Sequence, residues 1–258
     1  MNLFQASILF FAALLAGAIN AVAGGGSFVS FPSLLFIGIP PVNANATNTV
    51  ALWPGQVASI GAYRRQFGNL SRKTMMPLVI TALLGGILGG WTLLKTPQTT
   101  FLRLVPWLIL ASTLIFMMSG RVTRWVRSRT SSGEHHEFST WRGVFFQLFV
   151  SFYIGYFGAG AGILILAMLA LLGMDEIHTM NALKALLTTI SNGVAMLLFI
   201  LSHAVYWPET ILMVVASMIG GYFGAHFAQK TKPEHVRMII IVIGFTLTVY
   251  FFVKQYRH

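Results

Sequence analysis

From Gly17 to Ser27 the chain reads Gly-Ala-Ile-Asn-Ala-Val-Ala-Gly-Gly-Gly-Ser. This stretch closes an apolar run that opens at Leu3 and reaches Ala23, and a run of ~20 residues is what a bilayer core of ~30 Å requires. The next apolar run, Phe28 to Ile39, is too short to span alone and stops at Pro40-Pro41. Glycine costs about 1 kcal/mol relative to alanine inside a helix, so Gly24, Gly25 and Gly26 in succession predict a helix broken at membrane depth. A break frees backbone N–H and C=O groups that lipid cannot satisfy, and these have to be buried in protein or line a wet cavity. A half-helix starting at Ser27 would aim its first amides and the positive end of its dipole inward, the arrangement of an anion site. Tight helix packing is the other use of such glycines.

The composition sets that break in a membrane. Of 258 residues, 56% are hydrophobic and 9% charged, where a globular domain carries about 25% charged. With a mean hydropathy of +0.75, 17 Lys+Arg and 6 Asp+Glu cannot cover the surface of a soluble domain of this size. The net charge of +11 lies in short clusters between apolar runs, as cytoplasmic loops do under the positive-inside rule, which argues against nucleic acid as a partner. The absence of Cys excludes disulfides, thiol catalysis and Cys-ligated metals. No basic stretch precedes Leu3 and more apolar sequence follows, so this run is a retained helix and not a signal peptide. The fold class is therefore all-α, a polytopic integral membrane helix bundle.

Beyond Pro41, the Asn-rich passage Asn43 to Asn48 feeds a helix to about Tyr63, followed by Arg64-Arg65 and Arg72-Lys73. Met75 to Leu94 reads as a span carrying Gly85, Gly86, Gly89 and Gly90 at the spacing that lets helices approach closely. Lys95 to Arg103 reads as a short loop and Leu104 to Ser119 as another span. Arg121 to Arg142 is the longest polar stretch; it lies two spans after the first basic loop, so both can be cytoplasmic.

The pattern then restarts. At an offset of 136, Ala23, Gly24, Gly26, Asn45 and Ala46 fall on Ala159, Gly160, Gly162, Asn181 and Ala182; at 135, Gly85-Gly86 and Gly89 fall on Gly220-Gly221 and Gly224. The expected organisation is a first membrane repeat over 1–120, a basic cytoplasmic loop over 121–142 and a second repeat over 143–258. That makes about eight transmembrane segments, in two four-helix repeats each with a Gly-broken first helix. If the broken segments, Leu3 to Ile39 and Val144 to Met174, each cross once, the halves run parallel. If each dips in and returns, the halves are inverted. The sequence leaves both open.

Asn181, Lys184, Thr188 and Ser191/Asn192 recur at three- or four-residue spacing, one polar stripe on an apolar helix, repeated more weakly by Asn45, Asn48, Gln56 and Ser59. Lys184 stands out: a lysine at mid-membrane costs ~2.5–3.5 kcal/mol on insertion scales, and no acid shares its face. Snorkelling to the interface is its alternative, and helix capping or interhelical bonding that of Asn45 and Asn181. All six acids lie in or beside predicted loops, which disfavours a proton relay or cation site. His203 reads as loop and His226 as interface or core. No metal, nucleotide or hydrolase motif is present, so no metal and no cofactor are expected.

The stretch Gly17 to Ser27, with Pro32, Leu34-Leu35, Gly38 and Ala46-Thr47-Asn48, resembles the TauE/SafE family of sulfite exporters and sulfonate permeases. The resemblance recurs in Gly155-Tyr156-Phe157-Gly158-Ala159-Gly160-Ala161-Gly162, Gly173 and Asn181-Ala182 and covers essentially the whole chain. It implies a multi-pass bacterial inner-membrane protein with a duplicated four-helix unit that moves sulfur-containing or organic anions. The second half departs from the first, with Met168 in place of Pro32 and Leu183-Lys184 in place of Thr47-Asn48, so roles do not transfer simply between halves. The expected function is a transporter, with export the simpler direction, of small anions such as sulfite or sulfonates. Its site is expected at Asn20, Gly24, Gly25, Gly26, Ser27, Asn45, Thr47, Asn48, Gly160, Gly162, Asn181, Lys184 and Thr188. Its expected partners are the anion and the lipid bilayer, with a homo-oligomer allowed. A membrane-embedded enzyme or an assembly protein is the rival reading.

Overall fold

The computed structural model describes residues 1–22, 25–62, 72–132, 140–174, 176–228 and 233–256. Among them every regular element is a helix: α1 (Leu3–Val22), α2 (Ser27–Phe36), α3 (Pro41–Ala62), α4 (Arg72–Lys95), α5 (Gln98–Ser132), α6 (Thr140–Tyr156), α7 (Ala161–Leu171), α8 (Ile177–Leu201), α9 (Trp207–Ala228) and α10 (Pro233–Tyr256). Five described stretches are long and apolar enough to cross a membrane, in α1, α4, α5, α8 and α10. Phe4, Phe11, Leu201, Ile211, Tyr222 and Val249 are all more than half exposed. Water would penalise such a surface and lipid does not. The protein is a multi-pass membrane protein.

Both expected breaks occur. Gly25, at φ 94°, leads into α2 at Ser27; Gly158 and Gly160, at φ 77° and 76°, lead into α7 at Ala161. Gly24 lies outside the described residues. Elsewhere helices run further than their apolar cores suggest. α3 starts at Pro41, so the Asn-rich passage lies inside it, proline filling the first helical position where no N–H is needed. α5 starts at Gln98, shrinking the loop expected over Lys95 to Arg103 to Thr96 and Pro97, and it continues to Ser132. No glycine or proline interrupts the chain between Gly120 and Gly133, so the basic segment stays helical after leaving the apolar zone.

The chain forms two compact units. The first comprises residues 1–55, 93–117 and 199–258. Its main packing joins α1 to α9 through glycine. A methyl on Gly220 would overlap the Leu14 carbonyl, one on Gly224 would lie 2.5 Å from Ala18 Cα, and one on Gly17 would overlap the Ser217 carbonyl. α2 turns back along α1, and at its end the Gln5 side-chain amide donates to the Ile37 carbonyl at 3.3 Å. The break therefore returns the chain to the level at which α1 began. Gly38, at φ 95°, closes α2 with a Schellman pair, its own N–H donating to Leu35 and that of Ile39 to Leu34. At the same level Gln98 joins the start of α3, accepting from the Val42 N–H at 2.8 Å and donating to Asn43 Oδ1 at 2.8 Å.

The second unit comprises residues 56–92 and 118–198. α4 carries glycines on two faces. Gly85 and Gly89 admit α6, where added methyls would meet Ser151, Leu148 and Phe152; Gly86 and Gly90 admit α8, where they would meet Ser191 and Ala195. A spacing of four residues keeps each pair on one face. The Ser191 hydroxyl then donates to the Ala82 carbonyl at 3.1 Å, tying α8 to α4. Ile154, Ala161, Ile165, Leu169, Met180, Leu183 and Leu187 are among the buried side chains of α6, α7 and α8 that form the core with Leu78 of α4. α7 also turns back: Leu172 packs against Gly143 near the start of α6, and Gly173, at φ 79°, closes α7 as Gly38 closes α2.

Candidate functional site

In the first unit the break draws polar groups from three helices together. Asn20, in the last turn of α1, accepts the Gly26 N–H at 2.7 Å. A methyl on Gly26 would lie 2.9 Å from Asn20 Cγ, so glycine is needed for this approach. Asn48 reaches across from α3, its Nδ2 donating to Ser27 Oγ at 3.2 Å and its Oδ1 accepting from the Ser30 hydroxyl at 2.5 Å. Thr47 is fully buried and accepts the Tyr206 N–H at 3.1 Å, just before α9. Asn45 is buried one turn earlier on α3. The cluster is neutral, and Asn48 is satisfied at both ends of its amide.

In the second unit the break is faced by a cation, Lys184, which stands 136 residues after Asn48. Its stem runs against Gly162, the second residue of α7; a methyl there would lie 3.3 Å from Lys184 Cδ. Its ammonium donates to Asn181 Oδ1 at 2.8 Å, and Asn181 Nδ2 donates to the Ile177 carbonyl at 2.9 Å. The Tyr153 hydroxyl donates to the Ala159 carbonyl at 2.7 Å and fixes the turn that carries Gly160. One turn beyond Lys184, the Thr188 hydroxyl is buried with no hydrogen-bond partner among the described residues. Glu176 lies eight residues before Lys184, ~12 Å along the helix. It caps α8 by accepting the His178 N–H at 2.8 Å, and the Thr179 hydroxyl holds its carboxyl below the usual range. The carboxylate is spent on the helix end and does not reach the lysine.

The expected residues thus divide. Asn20, Gly25, Gly26, Ser27 and Asn48 come together in one unit, with Asn45 and Thr47 buried within the turn of α3 that precedes Asn48. Gly160, Gly162, Asn181, Lys184 and Thr188 frame the break of the other. Sequence reasoning missed Ser30 and Tyr153. Ser30 was detectable as a polar residue three places after Ser27 within an apolar run, whereas Tyr153 sits among aromatic residues and carried no signal.

Broken helices that bury polar groups inside a bundle with apolar outer faces define this protein as a membrane transporter. The chain belongs to the sulfite exporter TauE/SafE family, whose model matches residues 9–251. It is 29% identical to a probable membrane transporter protein of Haemophilus influenzae, over 94% of this chain and 92% of that one. It is 31% identical to the probable membrane transporter protein YfcA of Escherichia coli K12, over 92% of this chain and 86% of that one. A probable membrane transporter protein of Sinorhizobium, ORF9, is 25% identical over 94% of this chain and 90% of its own length. No solved structure matches the chain.

Proposed function

We propose that the protein exports small sulfur-containing or organic anions, such as sulfite or sulfonates, across the bacterial inner membrane, without catalysing a reaction. The observation that carries this reading is Lys184. It lies within a spanning helix, and its one described polar partner is the neutral Asn181. A cation in that position favours an anion beside it, because an uncompensated charge at membrane depth is expensive. The Thr188 hydroxyl on the same stripe, which has no partner among the described residues, offers such an anion a donor. An inside-negative potential of ~100 mV drives a monovalent anion outward by ~2.3 kcal/mol, so export needs no coupling ion. The test is sulfite or sulfonate flux in proteoliposomes under an imposed potential. Flux that follows the potential supports the reading, and no flux across a panel of such anions overturns it.

We further read the chain as two inverted repeats, each made of one Gly-broken hairpin and three crossings. The returns of α2 to Gln5 and of α7 to Gly143 support this reading, as does the equivalent use of Gly85 and Gly89 on α6 and of Gly220 and Gly224 on α1. So does a contact between counterparts: Asn192 donates to Gln56 at 3.0 Å, and the two positions differ by the repeat offset of 136. A two-fold relation brings a residue onto its own mate near the axis. In this arrangement twelve of the 17 lysines and arginines belong to the cytoplasmic face.

A further inference from the structure

In the first unit, where α2 packs against α1 and α10, an apolar groove of about 460 Å³ remains. It exists because α2 is only ten residues long while α10 has 24, so the short helix covers one stretch of the longer one. One wall is a stripe of α10 at Ile243, Leu247, Tyr250 and Lys254; the other is α2, with Phe28 and Phe36 at its two ends. Eleven residues separate Ile243 from Lys254, a rise of ~16 Å. Half of a ~30 Å hydrocarbon core is ~15 Å. The groove is as tall as one leaflet, and an ammonium stands at one end of it.

Lys254 is the one Lys, Arg, Asp or Glu among the lining residues, and its Nζ lies 5.9 Å from the centre of the Tyr250 ring. A tyrosine beside a lysine in the last turn of a spanning helix marks the headgroup level. The polar groups along the walls are few. Ser33 spends its hydroxyl on the Val29 carbonyl at 2.7 Å, which leaves the interior suited to hydrocarbon. We propose that this groove holds one acyl chain of an anionic phospholipid, with the lipid phosphate at Lys254. A zwitterionic lipid fits the same hydrocarbon surface but brings no net charge to the ammonium, so the site selects by headgroup.

The test uses the full chain in detergent, titrated with phosphatidylglycerol, phosphatidylcholine and the soluble headgroup glycerophosphoglycerol. Bound lipid is counted by native mass spectrometry and thermal stability is followed in parallel. The expected result is one phosphatidylglycerol retained per chain in preference to phosphatidylcholine, with no effect of the headgroup alone. Lys254→Gln is expected to weaken phosphatidylglycerol retention about fivefold, the share of one surface lysine, while Lys254→Arg keeps it. Lys254 is exposed and its replacement leaves the packing intact. Equal retention of the two lipids, equal retention by Lys254→Gln, or protection by the headgroup alone overturns the proposal.

Discussion

Lys184 and Asn181 stand one turn apart on α8 and are joined, Nζ to Oδ1, at 2.8 Å, with the lysine stem laid against Gly162 of α7. The asparagine aims the ammonium without neutralising it. In proteoliposomes, Lys184→Ala is expected to abolish anion flux and Lys184→Arg to retain part of it. Asn181→Ala should weaken anion affinity about tenfold or more, since a hydrogen bond to a charged group contributes about 1.5–3 kcal/mol. Unchanged flux and affinity in Lys184→Ala would remove this lysine from the site.

Asn48 stands 136 residues before Lys184, in the first unit, and its amide is consumed by Ser27 and Ser30. These two bonds tie the first turn of α2 to α3. Asn48→Leu removes the amide that donates to Ser27 and leaves the Ser30 hydroxyl only the Gly26 carbonyl, and it should lower stability by about 1–3 kcal/mol, measured as a fall in melting temperature in detergent. Ser30→Ala removes one partner and should cost less. A melting temperature unmoved by Asn48→Leu would mean that the polar cluster does not hold the break.

The glycines of α4 and α9 test the packing. Gly85→Val and Gly220→Val place atoms on Ser151 and on the Leu14 carbonyl, and overpacking of this kind costs about 1–3 kcal/mol or more. Gly55→Ala, where nothing lies within 4 Å of the added methyl, should be neutral or stabilising by up to about 1 kcal/mol. Equal melting temperatures for the three variants would show that the close approaches contribute nothing.

The proposed inverted repeats put the C-terminus on the face opposite the basic connections. A reporter active only outside the cytoplasm, fused after His258, is expected to be active, and the same reporter inserted in the α5–α6 connection to be silent. Silence at both positions would restore parallel halves.

Much of this architecture is legible in the sequence because the bilayer reduces the choices. A run such as Met75 to Leu94 can hardly be anything but a helix in lipid, and successive glycines at Gly24 to Gly26 have to interrupt one. Helix ends were less legible. Apolar runs mark where a helix lies in hydrocarbon, not where it stops, so α5 continues through Arg121 and Arg124 to Ser132. Half of the candidate site was legible as a stripe on one helix, Asn181 to Thr188. The pairing of Asn48 with Ser27 and Ser30 was not, because the partners lie 21 and 18 residues away and meet only once α2 has folded back.

By itself the sequence determined the membrane setting, the two breaks and the isolation of one lysine among neutral residues, since each follows from the cost of placing a given group in hydrocarbon. The tertiary structure alone decided which way the chain turns at each break and which polar groups are used up there. Glycine permits a turn without choosing its direction; the direction came from partners distant in sequence, Ile37 on Gln5 and Leu172 on Gly143. The same packing left the amide of Asn48 satisfied by two serines and Lys184 held by a neutral amide, so two positions 136 residues apart differ in the partners the fold gives them.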